Sequence, residues 1–526
     1  MRLMACTLIL ALAACAAPPP TPDVTLERRP SGDWRAIWHS DEPIQTLKFV
    51  RPANYLRERE WRIITPGYAF SRDGDAQVVQ LADGASASAE LMIEFPVNTE
   101  FMPRDYELFN VFSNGSAAIY TGHFFALINA GTKPLTNVAV AAPAGQRVVL
   151  DPQPGPLGTY AYVGDLELID HARFVAIIDP GLPRWLETTL VEQIPAMFGF
   201  YESRTGRVLE QRPVVLFSFV PGHGADMNAG VLENLMHLRA SGDRWHNDDP
   251  WAMRKALRLI AHEAAHFWNG NSRPGSPPWM HEGSAEAFAD EALTAADFMD
   301  ARSLADAYEL ALNGCVVGGQ RHHYTCGQIA AWWTGLAISD ADPGADLFTF
   351  WGALATRAAA GDGYYGPDEY FAVLEAFGVP ADAVAELRAF TEHSDDAGAA
   401  VRAGVSRYGV VVERDDVAAE PSARFAASTE FLMALLAADC RGGYGFYTRD
   451  NAVELGGLGD CGHARDGMVI DAFGGEPLDA PNFAAARFAL AQCANGGRVD
   501  VGPAEFVCPE ELPPLRGYWT ITGESP

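Results

Sequence analysis

The run AHEAAHFWNGN places His262 and His266 four residues apart, with Glu263 directly after the first. On a helix, residues i and i+4 share a face, so both imidazoles can reach one metal ion. Glu263 falls beside them without being a ligand, where a carboxylate can take a proton from water acidified by a metal. The second stretch, PPWMHEGSAEAFADEAL over residues 277–293, sets Glu282, Glu286 and Asp290 at successive i+4 positions. One of these carboxylates can complete a His, His, Glu shell for Zn2+ whose fourth position is left to water. Another, a turn later, can accept the free N–H of a ligating histidine, and Glu286 is the candidate. The chemistry implied is metal-assisted hydrolysis.

These residues resemble the H-E-x-x-H-x-W-x-G-N and W-L-N-E-G-x-A signature of the gluzincin aminopeptidases, of the membrane alanyl aminopeptidase and glycyl aminopeptidase type. The resemblance implies that His262, His266 and Glu282 bind Zn2+ and that Glu263 is the general base. Three features depart from it. Asn269 stands where that family carries an aromatic residue, His281 replaces an asparagine, and the 15 residues between His266 and Glu282 are fewer than its usual spacing. Upstream, Gly230-Val231-Leu232-Glu233-Asn234 resembles the G-x-M-E-N motif, which implies that Gly230, Glu233 and Asn234 bind substrate, Glu233 through the free α-amine. Downstream, Tyr324-Thr325-Cys326-Gly327 resembles Y-x-K-G with cysteine replacing the lysine, which implies an oxyanion-stabilising phenol at Tyr324. Tyr308, His322 and His323 are the substitutes. GYGF and the later LGDCGHARDGMVIDAFGGEPLD resemble the carboxylate-binding loop and a following strand of a PDZ domain, a fold that holds peptides by strand addition.

Several elements must position these groups. Asp249 fits an N-cap and Pro250 the first helical position, Trp251, Leu257, Ile260 and Ala264 recur on one side, and Asn269-Gly270 is a stop. From Trp34 to Asp179, short β-rich runs alternate with turn residues. PRWLETTLVEQIPAMFGFYESRTG reads as a helix ended by Gly206, RPVVLFSFVP as a strand, and NAGVLENLMHLRAS as a further strand-like stretch. Helical patterning then runs to about His393, and strand-like segments return from Ser406. The expected fold class is multidomain α+β: an N-terminal β-sheet domain, a thermolysin-like α/β zinc-peptidase domain and a small β-rich, PDZ-like C-terminal domain. The expected boundaries are 1–14 for a lipoprotein signal peptide, 15–30 for a tether, and 31–180, 181–400 and 401–526 for the three domains.

Composition narrows the classes further. Lys plus Arg number 38 against 68 Asp plus Glu, a net charge of −30, which argues against nucleic acid as a partner. The N-terminal apolar run is of signal-peptide length, and Leu12-Ala13-Ala14-Cys15 resembles a bacterial lipobox, implying lipid attachment at Cys15 and a membrane surface in the cell envelope. Cys315, Cys326, Cys440, Cys461, Cys493 and Cys508 then form an even set in an oxidising compartment. Short spacing favours Cys315 with Cys326 and keeps the other four together; a thiolate zinc site would lack paired C-x-x-C spacing. No G-x-S-x-G nucleophile elbow occurs. The expected function is zinc-dependent removal of N-terminal residues from peptides. An endopeptidase of the same clan and an inactive peptidase-fold binding protein are the alternatives.

Overall fold

The structure is a computed structural model that describes residues 23–53, 56–99, 106–129, 131–150, 155–222, 226–247, 250–270, 272–318, 323–392, 396–441, 444–449, 451–494, 497–502, 504–509, 513, 515 and 517–522. The signal-peptide stretch and Cys15 therefore lie outside the described residues, as do Asp249 and His322. The chain divides into two compact units, Met1–Leu182 with Pro213–Trp245, and Pro183–Arg212 with His246–Pro526.

The first unit is built of β-sheets. In the strand Trp34–His39 every second residue, Trp34, Ala36 and Trp38, is buried, the period-two signature of a half-buried strand. It sits inside a five-stranded sheet between Val24–Arg28 and Glu90–Phe95. The sheet begins earlier than expected: Val24–Arg28 lies in the stretch read as tether, because Val24 and Leu26 alternate into the core. Two four-stranded sheets complete this β framework. Its core is aromatic, with Trp61 stacked on Phe95 and Phe124 at 4.8 and 5.4 Å.

A further five-stranded sheet of the same unit runs parallel through Val175–Ile178, Val214–Val220 and Leu235–Ser241. Its last strand pairs antiparallel with Asp226–Leu232. The stretch read as one strand from Asn228 to Ser241 is thus a hairpin, with Leu232 opposite Leu235 and Glu233-Asn234 as the two-residue turn. Leucines on both sides and the absence of glycine hide this turn from a periodicity reading. Glu233 takes a φ of 42°, a left-handed conformation uncommon for a residue with a Cβ.

The second unit is mainly helical, with helices Arg184–Thr205, Pro250–Asn269, Trp279–Ala295, Ala301–Gly318 and His323–Ala341, then four shorter ones ending at Val405. The first stops at Gly206, whose φ of 67° is the left-handed C-cap expected there. The segment after residue 410 contains helices Pro421–Asp439 and Ala484–Ala494 among short strands in sheets of two and three. The strand-like segments expected there are thus interleaved with helices. Gly442 and Gly443, at the head of the glycine-rich loop, lie outside the described residues. The disulfides join Cys315 to Cys326, Cys440 to Cys461 and Cys493 to Cys508, so the first cysteine pair forms and the other four bond among themselves, as expected. Among the described residues, no helix is long and apolar enough to cross a membrane.

Candidate metal centre

Three helices of the second unit carry the site, and small residues let them approach. Ala252, Ala256, Ala261, Ala264 and Ala265 are buried along the histidine helix, Pro250–Asn269. Ala285, Ala287, Ala289 and Ala292 are buried along the carboxylate helix, Trp279–Ala295. Where the carboxylate helix meets the tyrosine helix, His323–Ala341, Gly283 faces Gly327 so closely that a Cβ on either would collide with the other's backbone or with that of Trp279. This glycine contact fixes Tyr324, three residues before Gly327, against Glu282, the residue before Gly283. The Cys315–Cys326 disulfide ties the first turn of the tyrosine helix to Ala301–Gly318.

Hydrogen bonds from outside set the histidine helix in place. The Tyr201 hydroxyl donates to the Ala261 carbonyl at 2.9 Å and to that of Phe288 at 3.4 Å, bridging the histidine and carboxylate helices. At the helix end, Arg207 donates to the Trp268 carbonyl and the Trp268 indole to that of Arg207, both at 2.9 Å. One otherwise unpaired C-terminal carbonyl is thereby satisfied.

His262, His266 and Glu282, the set that the resemblance implied, converge. The two Nε2 atoms are 3.2 Å apart, and Glu282 Oε2 lies 3.3 Å from that of His262 and 3.5 Å from that of His266. A tetrahedral zinc with bonds of about 2.0–2.1 Å requires ligand-to-ligand edges of roughly 3.3–3.4 Å. The triangle of donor atoms matches that edge, so the residues fit zinc. Glu263 is 7% exposed, beside this triangle and outside it.

Each donor is oriented from behind. Glu286 Oε1 stands 3.2 Å from His262 Nδ1, at ion-pair distance though off the line of a straight hydrogen bond. Its other oxygen pairs with Arg258 at 2.5 Å, and Arg258 also holds the fully buried Asp290 at 2.9 Å. On His266 the corresponding partner is Asn269, whose Oδ1 is 3.0 Å from Nδ1. Asn269 Nδ2 donates to the His281 carbonyl at 2.9 Å, and His281 Nε2 faces the second oxygen of Glu282 at 3.4 Å.

The electrostatics follow from this crowding. Burial works against a charged His262, but the carboxylates of Glu282 and Glu286 against its two ring nitrogens and the charge of Glu263 outweigh it and raise its pKa to about 10 in the metal-free cluster. Burial likewise opposes charge on Glu282, yet three imidazoles hold its carboxyl well below the usual range. Burial pushes Glu263 up, against the pull of His262 and His266. Tyr324 is raised by burial and by the carboxylates of Glu282, Glu263 and Glu286.

Tyr324 does stand at this centre: its ring is 6.0 Å from that of His262 and its hydroxyl is in hydrogen-bonding reach of Glu282. Neither of the described substitutes, Tyr308 and His323, takes its place. Tyr308 is buried, stacked on Trp332 at 5.3 Å with its hydroxyl toward Glu291, while His323 packs on Tyr324 at 4.5 Å. Gly230, Glu233 and Asn234 belong to the hairpin of the first unit. There Gly230 has no room for a Cβ beside His237 and Tyr106, and the Glu233 carboxylate lies on the backbone of Gly155. Asn269, His281 and Arg258 were missed as supporting residues. Their one sequence signal is spacing, Asn269 at i+3 from His266 and Arg258 at i−4 from His262.

No family model and no curated protein matches the chain. Among solved structures, an aminopeptidase N family protein from Idiomarina loihiensis aligns over 96% of this chain and 98% of its own, at 12% identity and a TM-score of 0.58. The chain has an aminopeptidase N fold. Two structures of M1 zinc metallopeptidase mutants align less fully. One, a two-domain enzyme bound to L-arginine, is 15% identical over 70% of this chain and 92% of its own, with a TM-score of 0.43. The other, from Deinococcus radiodurans and bound to a Tyr-Ser-Ala substrate, is 15% identical over 70% and 93%, with a TM-score of 0.41. The aminopeptidase N fold assignment rests on the first alone. At 12% identity the likeness shows the architecture.

Proposed function

We propose that the chain is a zinc peptidase that removes N-terminal residues from peptides. The observation that carries this reading is the donor triangle of His262, His266 and Glu282 at tetrahedral-edge distances, with the buried carboxylate of Glu263 beside it. Zinc, when bound, supplies a Lewis acid that polarises a carbonyl and acidifies water. Glu263 accepts the proton of the attacking water and passes it to the leaving amine, a role that its burial-raised pKa suits. The Tyr324 hydroxyl stays protonated and donates to the oxyanion that develops on the substrate. Glu286 and Asn269 hold the two imidazoles in the orientation that presents Nε2 inward.

The finer parts rest on motif resemblance. Glu233 in GVLEN pairs with the α-ammonium of the substrate, and Gly230, on the strand before the turn, and Asn234, within it, contact the same substrate residue. The lipobox-like stretch at Cys15 supports attachment to a membrane surface of the bacterial envelope, and the glycine-rich C-terminal loop supports a PDZ-like peptide-holding role. The test is metal content together with hydrolysis. Purified protein should hold stoichiometric zinc, and Glu263→Gln should lower kcat by at least about 100-fold with zinc retained. Protein without zinc, or an unchanged rate in the variant, would overturn the reading. An N-acetylated peptide cleaved as fast as its unblocked twin would reassign the chain as an endopeptidase.

A further inference from the structure

Tyr324 is 44% exposed, so no packed core holds its side chain, and its place against Glu282 depends on the backbone beneath it. That backbone is the first turn of the tyrosine helix, where the leading N–H groups have no carbonyl partner within the helix and a free end frays. Here the three residues that follow Tyr324 are each tied from outside. Thr325 packs on the helix Ala301–Gly318 so tightly that a Cβ at Gly314 would lie 2.9 Å from its Cγ2. Cys326 is bonded to Cys315 of that helix, and Gly327 abuts Gly283 of the carboxylate helix. Both cysteines are buried, so the bond lies within the helix contact rather than on its surface. The helix that supplies Cys315 is itself anchored. Glu309 accepts from the Tyr518 hydroxyl at 2.7 Å and from the Ile521 N–H at 3.0 Å, and Asn313 exchanges two hydrogen bonds of 2.8 Å with the backbone of Trp519. The C-terminal strand Trp519–Thr522 thus straps Ala301–Gly318, which gives the disulfide a fixed point to hold from. Cys326 stands at the lysine of the Y-x-K-G resemblance, a residue that can form no such bond.

We propose that the Cys315–Cys326 disulfide is a positioning element of the centre, holding the phenol of Tyr324 where it donates to the oxyanion. The proposal rests on the peptidase reading above. It assigns the two cysteines an effect on turnover that runs through Tyr324, because His262, Glu263, His266 and Glu282 stand on two other helices that the bond does not join. An oxyanion donor acts only at hydrogen-bond length from the developing charge, so a displacement of about 1 Å lowers the rate without weakening metal or substrate binding.

In the zinc-loaded full chain, Cys315→Ala with Cys326→Ala should lower kcat about 10–100-fold, with KM and zinc affinity within about threefold of the parent. The same pair of substitutions placed on Tyr324→Phe should change kcat by less than about twofold, since the group that the bond positions is already gone. Cys493→Ala with Cys508→Ala, which removes a disulfide of the C-terminal segment, should leave kcat within about twofold of the parent. An equal fall with and without the phenol, a fall accompanied by zinc loss, or parental kinetics in the Cys315, Cys326 variant would overturn the proposal. Amide hydrogen exchange reads the tie without turnover. In that variant the amides of residues 323–327 should exchange at least about tenfold faster, while those of the histidine helix keep their protection. A parent chain that hydrolyses no peptide would overturn the peptidase reading; exchange at 323–327 then decides the tie by itself, and unchanged protection there refutes it.

Discussion

Asn269 offers the sharpest perturbation, because one buried side chain, 1% exposed, makes two separable hydrogen bonds. Its Oδ1 is 3.0 Å from His266 Nδ1, and its Nδ2 donates to the His281 carbonyl at 2.9 Å. A carbonyl accepts only from an N–H, so the amide orientation is set, and His266 Nδ1 must carry its proton while Nε2 turns a lone pair inward. Asn269→Leu keeps the volume and removes both bonds. His266 then loses the partner that selects its tautomer, and metal affinity should fall about 10–100-fold, or about 1.4–2.7 kcal/mol. The unpaired His281 carbonyl should lower folding stability by a further ~1–3 kcal/mol. Asn269→Asp separates the two effects. Its carboxylate still accepts from His266, so zinc affinity should stay near that of the parent, but a buried charge now faces the His281 carbonyl and stability should drop. Competition for Zn2+ against a chromophoric chelator reads the first quantity, and urea melts of the metal-free protein read the second. If folded Asn269→Leu binds zinc within about twofold of the parent, or if both variants lose affinity alike, the orienting role is wrong.

Three further outcomes follow from the geometry of the centre. The pKa of His262 rises from 6.5 to about 10 in the metal-free cluster, so its proton contributes stability that is fully present below pH 6.5 and lost as pH climbs through 10. The melting temperature of metal-free protein should fall across that window. Zinc binding near pH 7 should release close to one proton, measurable by calorimetry in buffers of different ionisation heat, and no release would contradict the assignment. Gly283→Ala should drive the carboxylate and tyrosine helices apart where they touch at Gly327, at a cost of about 1–3 kcal/mol. Because Tyr324 and Glu282 flank that contact, kcat should fall more than stability alone accounts for, and a variant with parental melting and kinetics would refute the argument.

The parts of the site that were legible in the sequence are those set by a single helix. His262 with His266, and Glu282 with Glu286, are i, i+4 pairs, and an α-helix places such pairs on one face whatever it packs against. Cysteine pairing was legible for a similar reason, since short chain separation limits the partners. The strand hairpin at Glu233 was not, because its turn depends on one residue adopting a φ of 42° against its own preference, and the flanking leucines continue an apolar pattern. Nor was the strand at Val24, whose residues join a sheet by pairing with Val138–Ala141, far away in the chain.

What the sequence determined by itself, then, is the set of donors and the helix faces that carry them, because helical periodicity is a local property of the backbone. Tertiary structure decided the rest. It made Tyr324 rather than Tyr308 the phenol at the centre, through the Gly283–Gly327 contact. It also recruited Asn269, Arg258 and His281 as supports. These choices depend on how closely separate helices approach, which side-chain volumes across the interface decide and no spacing along one helix records.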